Sequence, residues 1–331
     1  MRIDLHSHFI PRDCFDLTDA AGHDHGPSIG RDASGREVLI DNGKSYGPIV
    51  KQICDPKRRL QDMDSIGLDM QAISISPTSI SYEIDAEQGL RFCQLQNNGI
   101  AEVVKAYPDR FIGMATVPMQ DVDKAICELE RAVDELGLVA VEITSNINGK
   151  NLDETDLWPF YEKAQGLDIP IYVHPSLNIA GADRLKRYWL TNLIGAPLET
   201  SIAITSIIFG GILQQFPRLK FLFSHAGGCA PFIIGRWEHG YKSIPECKTT
   251  PQSPLEYFRL LYFDTISHCG TALEYLIKTV GAEKIVLGSD YPFAMGDASC
   301  ISSVLDNDEL SSRSKEIILE HSGTKLLKLD G

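Results

Sequence analysis

The stretch IDLHSH at residues 3–8, within the opening MRIDLHSHFIP (residues 1–11), reads as a β-strand that closes on two histidines. Side chains alternate along a strand with period two, so His6 and His8 project to the same side. Working outward, similar β-rich runs recur at Met70–Ser76, Phe111–Val117, Val139–Thr144, Pro170–His174, Lys220–His225, Leu261–Ile266 and Lys284–Asp290. Between them lie segments with apolar residues near i, i+3 and i+4: Ala86–Tyr107, Val122–Leu136, Leu157–Gln165, Thr200–Gln215 and Gly270–Thr279. Strict alternation of strand and helix implies a parallel sheet. Eight such units over about 290 residues predict the α/β class and a (β/α)8 barrel. An open doubly wound sheet asks for fewer strands and a glycine-rich first turn, and no GxGxxG follows the first strand.

Composition bounds the rest. The chain has 331 residues, 43% hydrophobic and 23% charged, which supports a large core and excludes collagen-like and disordered readings. No linker or repeat separates a second domain, so residues 1–331 are expected to form one barrel domain. Asp and Glu total 45 against 31 Lys and Arg, a formal charge of -14, the wrong sign for a phosphate backbone or an anionic membrane surface. The eight cysteines form no CxxC pair and read as reduced thiols. No basic and then apolar leader opens the chain, and apolar windows such as SIAITSIIFGGIL (residues 201–213) are short and carry polar residues. A soluble cytoplasmic protein is the expectation. One anomaly is the polar, glycine-dotted segment 10–54, too long for a plain loop between strand and helix. It predicts a flap over the barrel mouth, with VLID and KSYG as strands flanking Asn42 and Gly43.

His6 and His8 end the first predicted strand, His174 the fifth (IYVHP), His225 the sixth (FLFSHAGG) and Asp290 the eighth (IVLGSDYPF). Catalytic groups in barrels come from the carboxyl ends of several strands, so these five converge at one mouth. Imidazole and carboxylate donors suit Zn²⁺, Mn²⁺ or Fe²⁺, and the set reads as a mononuclear metal site. Taken singly, a strand histidine is a hydrogen-bonded core residue and Asp290 a helix cap; the coincidence of five carries the reading. His23, His25 and His321 read as solvated. His268, past the seventh strand, is either a mouth residue or a loop residue. Gly227 and Gly228 serve either a substrate approach or a tight turn, and Arg236 is either a surface helix residue or an anion clamp. Arg184, Lys186 and Arg187 read as a solvated face. A non-catalytic barrel predicts a broken ligand set, and this one is intact.

MRIDLHSHFIP, IYVHP, FSHAGG with a GR pair ending eight residues beyond the last glycine, and LGSDYPF resemble the metal-dependent amidohydrolase superfamily. Within it the chain is similar to the 2-amino-3-carboxymuconate-6-semialdehyde decarboxylase branch, a likeness extending to DPKRRLQDMDSIGLDMQ, YPDRFIGMATVPMQ, KRYWL and APLETSIAI. The resemblance implies a distorted barrel with one divalent metal, usually Zn²⁺ and in some relatives Mn²⁺, that performs non-oxidative decarboxylation with no organic cofactor. It implies His6, His8, His174 and Asp290 as ligands, His225 as the residue that activates or positions water and Phe293 as a substrate-contacting ring; for the proton that decarboxylation needs, our own reading leaves His225, shuttling from bound water, and Asp290, acting as an acid, as the two candidates. The resemblance also implies a homodimer in which Arg236 reaches into the neighbouring site to hold a substrate carboxylate. Three positions depart from that branch: Gly47 replaces a cation, and Ser176 and Asn192 replace tryptophans, which points to a different acid. The fourth strand's end (VEITSN) offers Glu142 and no lysine, against a carbamylated-lysine bimetal centre. A metal-dependent carboxy-lyase is the leading reading; hydrolysis of an amide, lactone or ester, or hydration of an unsaturated dicarboxylate, is the alternative.

Overall fold

The β-rich runs pair in chain order. In the computed structural model, which describes residues 1–18, 24–41 and 43–329, β1 (Ile3–Phe9) is followed by five short strands before residue 54. These are β2 (Leu17–Thr18), β3 (Asp24–His25), β4 (Ser28–Arg31), β5 (Glu37–Asp41) and β6 (Lys44–Gly47). The barrel resumes with β7 (Met70–Ile75), β8 (Phe111–Thr116), β9 (Ala140–Thr144), β10 (Ile171–His174), β11 (Phe221–Phe223), β12 (Tyr262–Asp264) and β13 (Ile285–Val286). The sheet order is β1-β7-β8-β9-β10-β11-β12-β13, every neighbour parallel. The segment after β13 closes the barrel on β1: Leu5 N–H donates to Leu287 O at 2.8 Å and His8 N–H to Tyr291 O at 2.8 Å. This is the (β/α)8 architecture that the alternation predicts.

Parallel strands covered by helices are buried on both faces. Ile73, Val141, Ile143, Val173, Phe223 and Phe263 pack against helical Leu129, Phe160 and Ile204 in one core. Helices Ala86–Ala106 and Val122–Asp134 begin at aspartates whose carboxylates accept orphan N–H groups, Asp85 from Glu87 and Gln88, Asp121 from Lys124. The expected helix Thr200–Gln215 is displaced. It runs from Ala196 to Phe209 behind a π-turn at Thr191–Gly195, stops at Gly210 and Gly211, and restarts at Ile212–Gln215. The continuous span Thr191–Phe209 is long and apolar enough to cross a membrane by length and composition, so the sequence reading of short apolar windows is corrected. Its fully buried Ala203, Ile204 and Ile207 belong to the barrel's core.

The last three barrel strands are much shorter than their sequence suggests, β12 being three residues long where Leu261–Ile266 is expected. The runs read as ending at His225 and Asp290 leave the extended conformation earlier, because His225 (φ 53°), Ala226 (φ 53°) and Asp290 (φ 55°) adopt left-handed backbone. Both functional side chains therefore sit on turns beyond the strands. Gly228 serves that turn: a Cβ there would lie 2.2 Å from Pro197 O, so its role is close helix packing.

Within 10–54, β4, β5 and β6 form an antiparallel sheet. VLID and KSYG pair as expected, Asp41 opposite Lys44; Asn42 and His23 lie outside the described residues, as does the side chain of His25. Ile10, Leu39, Val50 and Ile53 bury together, with Tyr46 and Phe293 against them, so the segment carries its own small core at the barrel mouth.

Candidate active site

His6 and His8 come from one face of β1, and their Nε2 atoms lie 3.2 Å apart. Asp290 Oδ1 is 3.4 Å from His6 Nε2 and 3.1 Å from His8 Nε2. His174, the last residue of β10, completes a group in which four donor atoms all lie within 4.8 Å of one another. Three imidazole nitrogens and a carboxylate oxygen converging this closely fit one divalent cation by the chemistry of the donor set. His8 Nδ1 and His174 Nδ1 face the Ile75 and Pro175 carbonyls at 3.3 and 3.2 Å. Such contacts set the tautomer that leaves Nε2 free to coordinate.

His225 lies against the same carboxylate, Nε2 3.6 Å from Asp290 Oδ2, and its Nδ1 has no hydrogen-bond partner among the described residues. Its ring stands 5.3 Å from that of His174. The left-handed turn that presents it is fixed from β12: Asp264 accepts the N–H groups of His225 and Ala226, both at 2.8 Å, and faces His6 Nδ1 at 2.6 Å.

Charge follows from these contacts. Burial opposes a charged His6, but the hydrogen bonds to Asp264 and Asp290 outweigh it and hold the ring up at about 10. Burial also opposes a charged Asp290, yet His225, His6 and His8 hold it well below the ordinary carboxylate range. His8 and His174 are pushed down, first by burial and, for His174, next by the neighbouring imidazoles. Burial pushes Glu142 up to about 8, so at neutral pH it is mostly protonated and brings little charge to the set.

The cluster opens into a cavity of about 560 Å³ lined by Phe293, Ser176, Asn192, Ala196, Met295 and, from β6, Lys44, Ser45 and Tyr46. Phe293 packs against His8 with ring centroids 5.4 Å apart.

The model of the amidohydrolase family matches residues 3–327. The chain belongs to the amidohydrolase family. This amidohydrolase is 36% identical to the 2-amino-3-carboxymuconate-6-semialdehyde decarboxylase of Dictyostelium discoideum over 100% of its own length and 92% of that protein's. It is 29% identical to the gamma-resorcylate decarboxylase of Polaromonas sp., over 89% of this chain and 95% of that one. Its fold superimposes with a TM-score of 0.80 and 26% identity on a dihydroxybenzoic acid decarboxylase from Polaromonas sp. solved with bound manganese and the inhibitor 2-nitroresorcinol, covering 100% of this chain and 97% of that one.

The amidohydrolase brings His6, His8, His174, His225, Asp290 and Phe293 together, and places Ser176 and Asn192 on the cavity wall. Gly47 is not among the lining residues; its φ of +87° is a left-handed value that favours glycine. Arg236 is exposed on helix Ala230–Ser243 and does not line this cavity. His268 lines an adjoining cavity that shares His225 and Asn192 with the site. His321 is exposed and sits 3.4 Å from Glu316. Arg184, Lys186 and Arg187 are exposed.

Two residues that matter were missed. Asp264 closes LLYFD in the seventh strand, and a carboxylate at a barrel strand's carboxyl end is a readable signal. Arg59 carries no such signal: it is fully buried and donates to Ser7 Oγ at 3.2 Å, Gln71 Oε1 at 2.9 Å and the His8 carbonyl, fixing the backbone of β1.

The elevated His6 sets a pH dependence. Without metal, its contacts with Asp264 and Asp290 stabilise the fold below pH 6.5, and that contribution fades as pH rises towards about 10. A cation needs the neutral ring, so apparent metal affinity rises with pH over the same window, by about tenfold per unit, with release of about one proton at neutral pH. Calorimetry of metal binding in buffers of differing ionisation enthalpy measures that proton; no release would show that His6 is neutral in the metal-free protein.

Proposed function

We infer that the chain is a metal-dependent, non-oxidative decarboxylase of an aromatic or unsaturated carboxylic acid. The observation that carries this reading is the set of buried His6, His8 and Asp290 with half-buried His174, and His225 against it, at the floor of a ligand-sized cavity, in a chain similar end to end to named decarboxylases. Three imidazoles and one carboxylate would hold one divalent ion, which when bound supplies a Lewis acid for the reacting acid and its adjacent polar group. Zinc is the identity we favour, since imidazole-rich sets suit it; manganese is the alternative, being the ion bound in the Polaromonas structure.

The reaction exchanges a carboxylate for a proton: the C–C bond breaks, CO2 leaves, and the carbon that bore it takes H⁺. His225 is our candidate to hold that proton. Its ring borders the cavity, one nitrogen lies near Asp290 and the other is unpartnered among the described residues. Asp264 keeps it there by holding its backbone, and Asp290 is the second candidate donor. Phe293 provides an apolar wall parallel in purpose to an aromatic substrate's face, while Ser176 and Asn192 offer polar contacts at its edge.

A homodimer belongs to this reading. Tyr188 (77% exposed), Trp189, Leu193, Ile194 and Phe232 (86% exposed) leave apolar surface open near the mouth, and Arg236 does not line the site's cavity in its own chain. We therefore read Arg236 as a carboxylate clamp for the neighbouring subunit. A cytoplasmic location is also part of this reading, supported by eight cysteines that are all free.

The test is incubation of the metal-loaded protein with hydroxybenzoates, aminobenzoates and carboxymuconate-like acids, recording CO2 release with loss of substrate absorbance. Release abolished by a chelator and restored by Zn²⁺ or Mn²⁺ is the expected result. Turnover of lactones or amides without release would move the assignment to a hydrolase. Arg236→Ala is expected to weaken substrate binding about tenfold or more while metal content stays unchanged. Unchanged substrate affinity would return Arg236 to an ordinary surface residue, and sedimentation of the protein as a monomer would remove the dimer.

A further inference from the structure

A second cavity, of about 630 Å³, adjoins the one beside the metal-ligand set and shares Pro77, Thr78, Ser176 and Leu177 with it. It lies between the flap, which contributes Asp16, Gly26, Ser28 and Ile40, and the loops that follow β7, β9 and β10. Its chemistry differs from that of the first. Phe293, Ala196, Met295 and Ile179 give the metal-side cavity apolar walls, whereas Ser81, Thr144, Asn146, Asn148 and Asn178 line the second with hydroxyls and amides. Tyr82 lines it too; it is 6% exposed, and its hydroxyl has no hydrogen-bond partner among the described residues. The charged groups in this lining are the carboxylates of Asp16 and Glu83, and among the described residues it holds no lysine, arginine or histidine.

The partition between the two cavities is built from inside the protein. Glu199, 3% exposed on helix Ala196–Phe209, accepts Ser145 Oγ–H at 3.0 Å and Asn146 Nδ2–H at 2.8 Å on one oxygen, and Ala180 N–H at 2.7 Å on the other. Ser145 Oγ in turn accepts Ser176 N–H at 2.9 Å, and Asn146 Nδ2 also donates to the Asn178 carbonyl at 2.9 Å. Asn148 Nδ2 donates to Tyr82 O at 2.6 Å and ties the loop after β9 to the loop after β7. One buried carboxylate therefore fixes the loops that form both the edge of the metal-side cavity and the wall of the second.

We propose that the second cavity is a distal subsite, which takes the far end of an elongated acid whose carboxylate lies at the metal-ligand set. Hydroxyls and amides donate and accept hydrogen bonds, while an anion there would face two carboxylates with no described cation to offset them. The arm it takes is therefore a hydroxyl- or ammonium-bearing one. The inference rests on the assignment of the metal-side cavity as the substrate site.

The experiment uses benzoates carrying at the 3- or 4-position an ethyl arm that is plain or ends in hydroxyl, ammonium or carboxylate. Dissociation constants are measured by calorimetry on the zinc-loaded native chain, Asn178→Leu and Glu83→Gln, both exposed positions. The hydroxyl arm is expected to bind about fivefold tighter than the plain arm. The ammonium arm should bind a few-fold tighter again, since an exposed carboxylate adds little, and the carboxylate arm no tighter than the plain one. Asn178→Leu should reduce the hydroxyl advantage and Glu83→Gln the further advantage of ammonium, with benzoate affinity and zinc content unchanged. Tightest binding of the carboxylate arm, no gain from any arm, or equal weakening of benzoate in the variants would overturn the subsite. Arm selectivity that follows these residues in a protein releasing no CO2 from any acid would sink the decarboxylase reading and leave the subsite standing. Release of CO2 without arm selectivity would do the reverse.

Discussion

Replacing Asp290 with Asn is expected to abolish CO2 release, by roughly 10³-fold or more, in a protein that still folds. The carboxylate is the hub of the site: His6 and His8 approach one oxygen at 3.4 and 3.1 Å and His225 the other at 3.6 Å. Asn keeps the shape but removes the charge, and one of its two positions becomes a donor facing imidazole nitrogens. Coordination and the placing of His225 are lost together, so metal content measured by plasma mass spectrometry falls with turnover. Full activity at native metal content would remove Asp290 from both roles.

The second large effect is expected at Asp264, a residue with no direct place in the ligand set. Its two oxygens accept from His225 N–H, Ala226 N–H and Ile266 N–H, and one faces His6 Nδ1. Asp264→Ala leaves buried N–H groups unsatisfied at about 1–3 kcal/mol each, so a clear drop in thermal midpoint is expected. Asp264→Asn is the informative variant, because it retains size and some acceptors. Outer partners of this kind are worth about 10–100-fold in metal affinity or activity. Without the Asp264 charge, His6 also loses its main support for a raised pKa, so proton release on metal binding should fall below the native value. A variant with native metal affinity and native proton release would show that Asp264 serves only the turn at His225.

Much of this molecule is legible in its residues. Alternation in IDLHSH places both histidines of β1 on one face, and short β-branched runs spaced by amphipathic segments predict eight parallel strands. Those are local signals, written in side-chain periodicity over a few residues, and local sterics enforce them. Convergence of His174 with the first strand follows once the barrel is granted, since strand ends meet at one mouth. Gly47, Ser176 and Asn192 were legible as departures, though what each touches was not. Ser176 and Asn192 line the cavity, whereas Gly47 answers a backbone requirement at φ +87°.

Other features have no local signature. His6 and Asp264 are 258 residues apart in the chain and meet at 2.6 Å only because β12 is brought near β1 as the barrel closes. His225 and Asp290 read as strand ends, yet both sit in left-handed turns held by Asp264 and by the His6 carbonyl, which accepts Asp290 N–H at 2.8 Å. Arg59 looks like a surface residue of an amphipathic helix and is instead fully buried beneath His8. Residue types and strand order thus lay in the sequence, because periodicity and turn chemistry act between near neighbours. The protonation of His6 and the aim of His225 came from packing, because charge, burial and backbone strain are set by neighbours that only the closed barrel supplies.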